Sequence, residues 1–221
     1  MHIQGDDQKA ATKRKRGRRA AGQDPAKRAQ ILDGAKRCFL SLGFEASSMN
    51  EITTEAGVSK GTLYVYFEDK EDLFAALIDR EKSAVMSAAQ HQLELPGTVP
   101  EALHRFGAYV TARLTSDDVI RAQRMVLGVA ERMPEVALRF FSGDSFSAHH
   151  ILHTWLDHHV ATGELVIPDT DLASRQFLEL SMASIYKRRL FGNLPKPVPQ
   201  PEIDRVVDSA VKMFMAAYGK K

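Results

Sequence analysis

GVSKGTLYVYF, residues 57–67, decides how the chain is read. Gly57 suits the left-handed backbone just past a helix end, and Val58 the apolar contact that accompanies such an ending. Ser59 follows as a capping acceptor for the backbone of Gly61 or Thr62. Within three residues one helix stops, the chain turns and another begins, which is a helix-turn-helix. On the new helix Leu63 and Phe67 lie four apart and face inward, while Thr62, Val65 and Tyr66 share another face flanked by Lys60 and Tyr64. That outer face has no acid. Lysine reaches phosphate or guanine, the Thr and Val methyls meet thymine methyls, and tyrosine hydroxyls donate to phosphate, so the face suits the DNA major groove.

Working upstream, Ser47 or Ser48 caps a short helix with Ile52 and Ala56 inward. Before it, Asp24-Pro25 starts a helix whose stripe is Ile31, Ala35, Cys38, Phe39 and Leu42, ended by Gly43. Cys38 lies on that stripe and reads as packing. Downstream, Asp69 caps a long helix, with Asp72 near its third position. Lys70, at its start, is placed to donate to backbone phosphate beside free N–H groups.

The 221 residues are 44% hydrophobic and 26% charged, an ordinary globular composition. One cysteine excludes an internal disulfide framework and points to a reducing compartment. With no apolar run long enough for a membrane span and no secretory signal, the expectation is a cytoplasmic protein. Residues 1–37 hold 11 Lys/Arg against 4 Asp/Glu, a net of +7, whereas the remaining 184 hold 19 against 24, a net of −5. The densest cluster is Lys13, Arg14, Lys15, Arg16, Arg18 and Arg19. It reads either as an arm lying in a DNA groove or as a solvated tail or cloning remnant, and the tail alone leaves both open.

Beyond residue 90 the pattern stays helical. Pro96-Gly97 and Pro100 break the chain, and helices are predicted at about 101–114, 118–132, 135–141, 145–162, 171–191 and 202–218. PKPVPQP (195–201) reads as an extended connector. The fold class is therefore all-α with nine to ten helices: a basic arm over 1–22, a helix-turn-helix domain over 23–70 and a larger helical domain over 71–221. The last two helices are apolar more than halfway round, which one subunit or two could cover. The preferred expectation is a homodimer joined through a four-helix bundle, with Leu178, Met182, Ile185, Val207 and Phe214 at the interface.

AHHILHTWLDHH places His149, His150, His153, His158 and His159 within eleven residues, and His149 and His153 have a workable metal spacing. No cysteine or paired carboxylate completes a shell, so neither metal nor cofactor is expected. The chain has no GxSxG elbow, HExxH, phosphate loop or dinucleotide fingerprint, so it is not read as an enzyme.

Residues 25–75, above all the run AGVSKGTLYxYFxxKxxLF, resemble the DNA-binding domain of the TetR family of transcriptional regulators. RAQRMVLGVAERMPEVALRFF, with GEL and DLASRQF after it, is similar to the C-terminal half of the AefR-like branch. The resemblance implies DNA contacts from Ser47, Ser48, Asn50, Lys60, Gly61, Thr62, Tyr64, Tyr66 and Lys70. Thr53 departs from the small apolar residue usual in the family, and its hydroxyl is expected to bond back to the preceding turn. The implied function is a dimeric repressor on a near-palindromic operator, released by a small apolar or aromatic effector. The competing readings are a constitutive DNA-binding protein and a His-dependent metalloprotein. An effector pocket is expected inside the 101–190 helices, lined by Phe106, Tyr109, Met125, Met133, Phe140, Phe141, Phe146, Trp155 and Tyr186, with Arg113 or His153 as polar anchors.

Overall fold

A computed structural model of the chain describes residues 22–141, 147–194 and 196–220. Among them are eleven helices and no strand, only an isolated bridge between Leu165 and Gly219. The helices are α1 (Pro25–Leu42), α2 (Met49–Ala56), α3 (Lys60–Tyr66), α4 (Lys70–Glu94), α5 (Val99–Leu114), α6 (Asp117–Val129), α7 (Pro134–Phe141), α8 (Ala148–Ala161), α9 (Thr170–Ser181), α10 (Tyr186–Leu190) and α11 (Gln200–Tyr218). Among the described residues no helix is long and apolar enough to cross a membrane.

Caps place the early elements where the sequence put them. Asp24 accepts from the N–H of Ala26 at 3.0 Å with Pro25 at the first helical position, and Asp69 accepts from Asp72 N–H at 2.7 Å. Between the two candidate serines, Ser48 caps α2: its hydroxyl accepts from Glu51 N–H, and the Glu51 carboxylate accepts from Ser48 N–H at 2.7 Å.

Apolar residues gather into two cores. The first joins α1, α2, α3 and the start of α4 through Ile31, Phe39, Ile52, Leu63, Phe67, Leu73 and Phe74. Phe39, Phe44 and Phe74 form an aromatic cluster with ring centroids 4.8–5.7 Å apart. Packing does not stop at residue 70, because Val126, Val129, Met133 and Val136 of the α6–α7 region belong to the same core. The second core joins the later part of α4 to α5, α8, α9 and α11 through Leu93, Phe106, Leu152, Leu156, Phe177, Val207 and Phe214.

Two sequence expectations need correction. The single helix expected over 171–191 is broken: Ser184 adopts φ +64 and the chain restarts as α10. The carbonyl of Ser181 freed by this break accepts from the Thr111 hydroxyl at 3.0 Å. Arg189, 2% exposed, then ties α10 down by donating to the carbonyls of Thr115 and Leu194 and to the Asp117 carboxylate. Secondly, Ile185, Val207 and Phe214, expected at a dimer interface, are enclosed within one subunit's core. Leu178 and Met182 are only partly buried. The large apolar side chains left exposed on α9 and α11 are Leu172 and Met213.

At Gly34, α1 packs directly against Ala56 of α2. A Cβ there would stand 2.5 Å from both the Cα and the Cβ of Ala56. Gly34→Ala should therefore push α2 off α1 and cost about 1–3 kcal/mol, read as a lower midpoint in chemical denaturation. An unchanged midpoint would show that the contact gives freely.

Candidate nucleic-acid interface and the cavity behind it

The turn between α2 and α3 is built as the sequence suggests. Gly57 takes φ 62, ψ 42, and the N–H of Val58 donates to Thr53 O at 3.1 Å. Ser59 accepts from the N–H of Thr62 at 3.1 Å and shares a 2.8 Å hydrogen bond with the Thr62 hydroxyl. The Thr53 hydroxyl bonds back to Asn50 O at 2.6 Å. Two α1 side chains missed in the sequence hold this turn from behind. Gln30 Nε2 donates to Ala56 O at 2.8 Å, and Arg37 donates to the carbonyl and carboxylate of Glu55. Each meets a carbonyl at the end of α2, a role invisible until the chain folds back.

On α3, Lys60, Gly61, Tyr64 and Val65 are exposed and Thr62 is partly so, while Leu63 is buried. Lys60 Nζ lies 5.9 Å from the Tyr64 ring centroid. Gly61 has neither a positive φ nor an atom within 4 Å of where its Cβ would be, so nothing inside the subunit requires glycine there. Tyr66 is turned inward enough for its hydroxyl to accept from Asp24 N–H at 3.3 Å. Ser48 and Asn50 are exposed at the start of α2.

Two residues expected on DNA are occupied elsewhere. Ser47 is 3% exposed, and its hydroxyl donates to Gly43 O at 2.6 Å and accepts from the Cys38 thiol. Lys70 directs its ammonium onto the carbonyls of Phe44 and Ser47 at 2.9 and 3.0 Å, with the Phe44 ring centroid at 4.4 Å. It clasps the α1–α2 loop onto α4. The basic residues Lys13 to Arg19 lie outside the described residues, as does Phe146, and so do the side chains of Phe140 and Phe141.

Behind this face lies a cavity of about 240 Å³. Its walls are Lys36, Phe39 and Leu40 of α1; Leu77, Ile78, Glu81, Val85 and Met86 of α4; and Arg113, Asp118, Ala122, Gln123 and Met125 of the α5–α6 region, with Ala148 at the start of α8. It sits between the two cores rather than inside the 101–190 helices. Of the expected lining, among the described residues, only Arg113 and Met125 reach it. Phe106 is fully buried in the second core and Met133 is buried in the first, while Tyr109 and Trp155 pack against the second. Those aromatics are used up in closing the core. Tyr186 is half-buried, and burial, with Glu179 nearby, pushes its phenol pKa up.

Ion pairs border the cavity. Lys36 meets Glu81 at 2.6 Å, and Arg80 bridges Glu81 and Asp33 at 2.8 Å each. Burial pushes the Glu81 carboxyl up, but hydrogen bonds from Lys36 and Arg80 outweigh it and hold the pKa below the ordinary value. Asp118 behaves likewise: burial raises it, yet hydrogen bonds from Arg113 and Ser116 lower it to about 2. Farther out, Arg132 of the α6–α7 loop pairs with Glu45 of the α1–α2 loop.

The histidines do not converge. His149 faces Asp171 at 2.8 Å, His159 faces Glu164 at 2.8 Å, and His153 stands 3.4 Å from Asp157 on its own helix. Among the described residues no group of three or more His, Cys, Asp or Glu is arranged to hold a metal ion.

Residues 31–77 match the family described as bacterial regulatory proteins of the tetR family, and residues 101–220 match the AefR-like transcriptional repressor C-terminal domain. The chain belongs to the TetR family. Its TetR-type N-terminal part is 37% identical over 78 residues to the HTH-type transcriptional repressor Rv1474c of Mycobacterium tuberculosis, covering 35% of this chain and 41% of that protein. It is 42% identical over 69 residues to the repressor AcnR of Corynebacterium glutamicum, covering 31% and 36%. The chain thus spans about two fifths of the length of these curated relatives. A TetR-family regulator structure from Mesorhizobium loti MAFF303099 superposes with a TM-score of 0.81 at 24% identity, covering 88% of this chain and 98% of that one. The flavonoid-responsive regulator FrrA superposes with a TM-score of 0.71 at 27% identity, covering 90% and 100%. TetR regulators are DNA-binding proteins rather than enzymes.

Two outcomes test this geometry. Lys70→Met should lower stability by about 1 kcal/mol, since partly buried carbonyls lose their donor. An unchanged melting temperature together with weaker DNA binding would return the lysine to phosphate. Because the folded-state pKa of Asp118 is depressed from 3.8 to about 2, its stabilisation is present above pH 4 and is lost as pH falls toward 2. Asp118→Asn should flatten the fall in melting temperature across that window, and an unaltered acid profile would remove the pair from the stability balance.

Proposed function

We propose that the protein is a dimeric transcriptional repressor that reads a near-palindromic operator through α3 and releases it when a small, largely apolar effector fills the cavity between the cores. The observation that carries the reading is the shared wall. Phe39 and Leu40 line the cavity on α1, and the same helix holds the α2–α3 turn through Gln30 and Arg37. An occupant that shifts α1 against α4 therefore moves the element that aims α3. In a two-fold dimer both α3 helices move, and their spacing departs from the roughly 34 Å of one DNA turn. A hundredfold release requires about 2.7 kcal/mol of preference for the non-binding arrangement.

On DNA, the exposed face of α3 supplies Lys60, Thr62 and Tyr64. The empty space beside Gly61 lets the backbone approach the groove. Ser48 and Asn50 contact phosphate from α2, Lys70 acts as a positioning residue, and the Lys13–Arg19 arm adds backbone affinity. Dimerisation uses the faces of α9 and α11 that still expose Leu172 and Met213. Repression agrees with the printed names of the matched relatives, and a small-molecule effector agrees with the flavonoid response in the name of FrrA.

The test is fluorescence anisotropy on the DNA upstream of the protein's own gene, with and without an effector panel. Tyr64→Ala should weaken binding to every sequence, whereas changes at Lys60 or Thr62 should alter preference at single base pairs by about 1–3 kcal/mol. Full affinity in a Lys60→Ala, Tyr64→Ala double variant with an intact circular dichroism spectrum would take α3 off the DNA. A compound that binds the protein and leaves operator affinity unchanged would end the effector reading.

A further inference from the structure

We propose that the cavity between the cores takes a compact neutral molecule, largely apolar but bearing one O–H or N–H group, and that Gln123 is the residue that selects it. The inference rests on the effector reading above and names the ligand class of that site.

Gln123 sits on α6 in the cavity wall and is 3% exposed, yet among the described residues its Oε1 accepts no hydrogen bond. A buried amide oxygen without a donor carries its full desolvation penalty, and folded proteins seldom leave one so. Packing gives no reason for it, because leucine or methionine would fill a similar volume at no polar cost. The terminal torsion of glutamine is broad and roughly two-fold, so the amide turns to offer its carbonyl to a guest with little strain.

The charged groups on the wall are already committed, and the Ser147 hydroxyl at its edge accepts from His150 N–H at 3.2 Å. Arg113 meets both oxygens of Asp118 at 3.0 and 3.1 Å, Lys36 meets Glu81 at 2.6 Å, and Lys82 is engaged as well. A carboxylate guest would have to break one of these pairs to gain a cationic partner, and it has no proton to give the Gln123 oxygen. A hydroxyl or amine supplies the one donor the wall lacks. The rest of the wall, Phe39, Leu77, Ile78 and Met86, offers only apolar contact. At about 240 Å³ the space falls just below the ~300–1,000 Å³ of typical small-molecule sites, which favours a compact ring system over a long chain.

The experiment measures binding of 1-naphthol, 1-methoxynaphthalene and 1-naphthoate to the full chain by calorimetry, in the absence of DNA. Wild-type protein should prefer the naphthol to its methyl ether by about tenfold, the effect of one buried hydrogen bond. In Gln123→Leu, and in Gln123→Met as a second variant, the naphthol and the ether should bind alike. Ala122→Phe, which fills the cavity, should bind none of them. Without ligand, Gln123→Leu should also melt at a higher temperature, which loss of an ordinary structural contact would not produce. The proposal is overturned if the naphthol preference survives in both Gln123 variants, if naphthoate binds wild type more tightly than naphthol, or if wild type binds neither neutral probe at its solubility limit. A probe that binds with the expected selectivity but does not release the operator would count against the effector reading alone.

Discussion

One helix belongs to two hydrophobic cores, and the rest of the structure follows from that constraint. The first turns of α4 place Leu73, Phe74, Leu77 and Ile78 in the core of the helix-turn-helix unit. The turns from Val85 to Leu93 enter the core of α5, α8, α9 and α11. A continuous α-helix is stiff over this length, so a change of tilt at one end is a change at the other. The two cores do not merge along it. Between them the apolar surfaces of α1, α4 and α6 face a gap, and that gap is the cavity. Close-packed interiors seldom leave such voids, because each forfeits the contacts its lining could make.

Around the seam the contacts change from apolar to ionic. Lys36–Glu81, Arg80–Asp33 and Arg132–Glu45 all cross between the helix-turn-helix unit and its neighbours. Partly exposed pairs of this kind contribute little each to stability, on the order of 0–1 kcal/mol. They fix orientation rather than hold the parts together, and they exchange partners far more readily than an interdigitated core. The first core also reaches into the α6–α7 region through Val126, Val129 and Met133. Movement at the cavity therefore has two routes to α1, through α4 and through α6.

The local chemistry of the DNA-facing unit was legible in the chain because it depends on neighbours within four residues. Asp24, Ser48, Ser59 and Asp69 cap the helices they precede, and Gly57 takes the left-handed turn. The inward set of Ile31, Ile52, Leu63 and Phe67 also follows from helical periodicity alone. Ser47 and Lys70 were open to two readings for a common reason. Serine beside a helix start and lysine at one look the same in sequence whether they meet phosphate or a carbonyl brought from elsewhere. Only the fold of the Gly43–Ser47 loop against α4 supplies those carbonyls.

In the larger half, the sequence determined helical content and which residues are apolar, since both are set by composition and a 3.6-residue repeat. It did not determine what each apolar face meets. Phe106, Ile185, Val207 and Phe214 could equally have lined a pocket or a dimer interface, and tertiary packing enclosed them in one subunit instead. The break between α9 and α10 likewise depends on Thr111 and Asp117, some seventy residues before their partners Ser181 and Arg189. The cavity is the clearest case. It exists only where two cores fail to meet, and the oxygen left unpaired in its wall belongs to a glutamine whose own helix gives no sign of it.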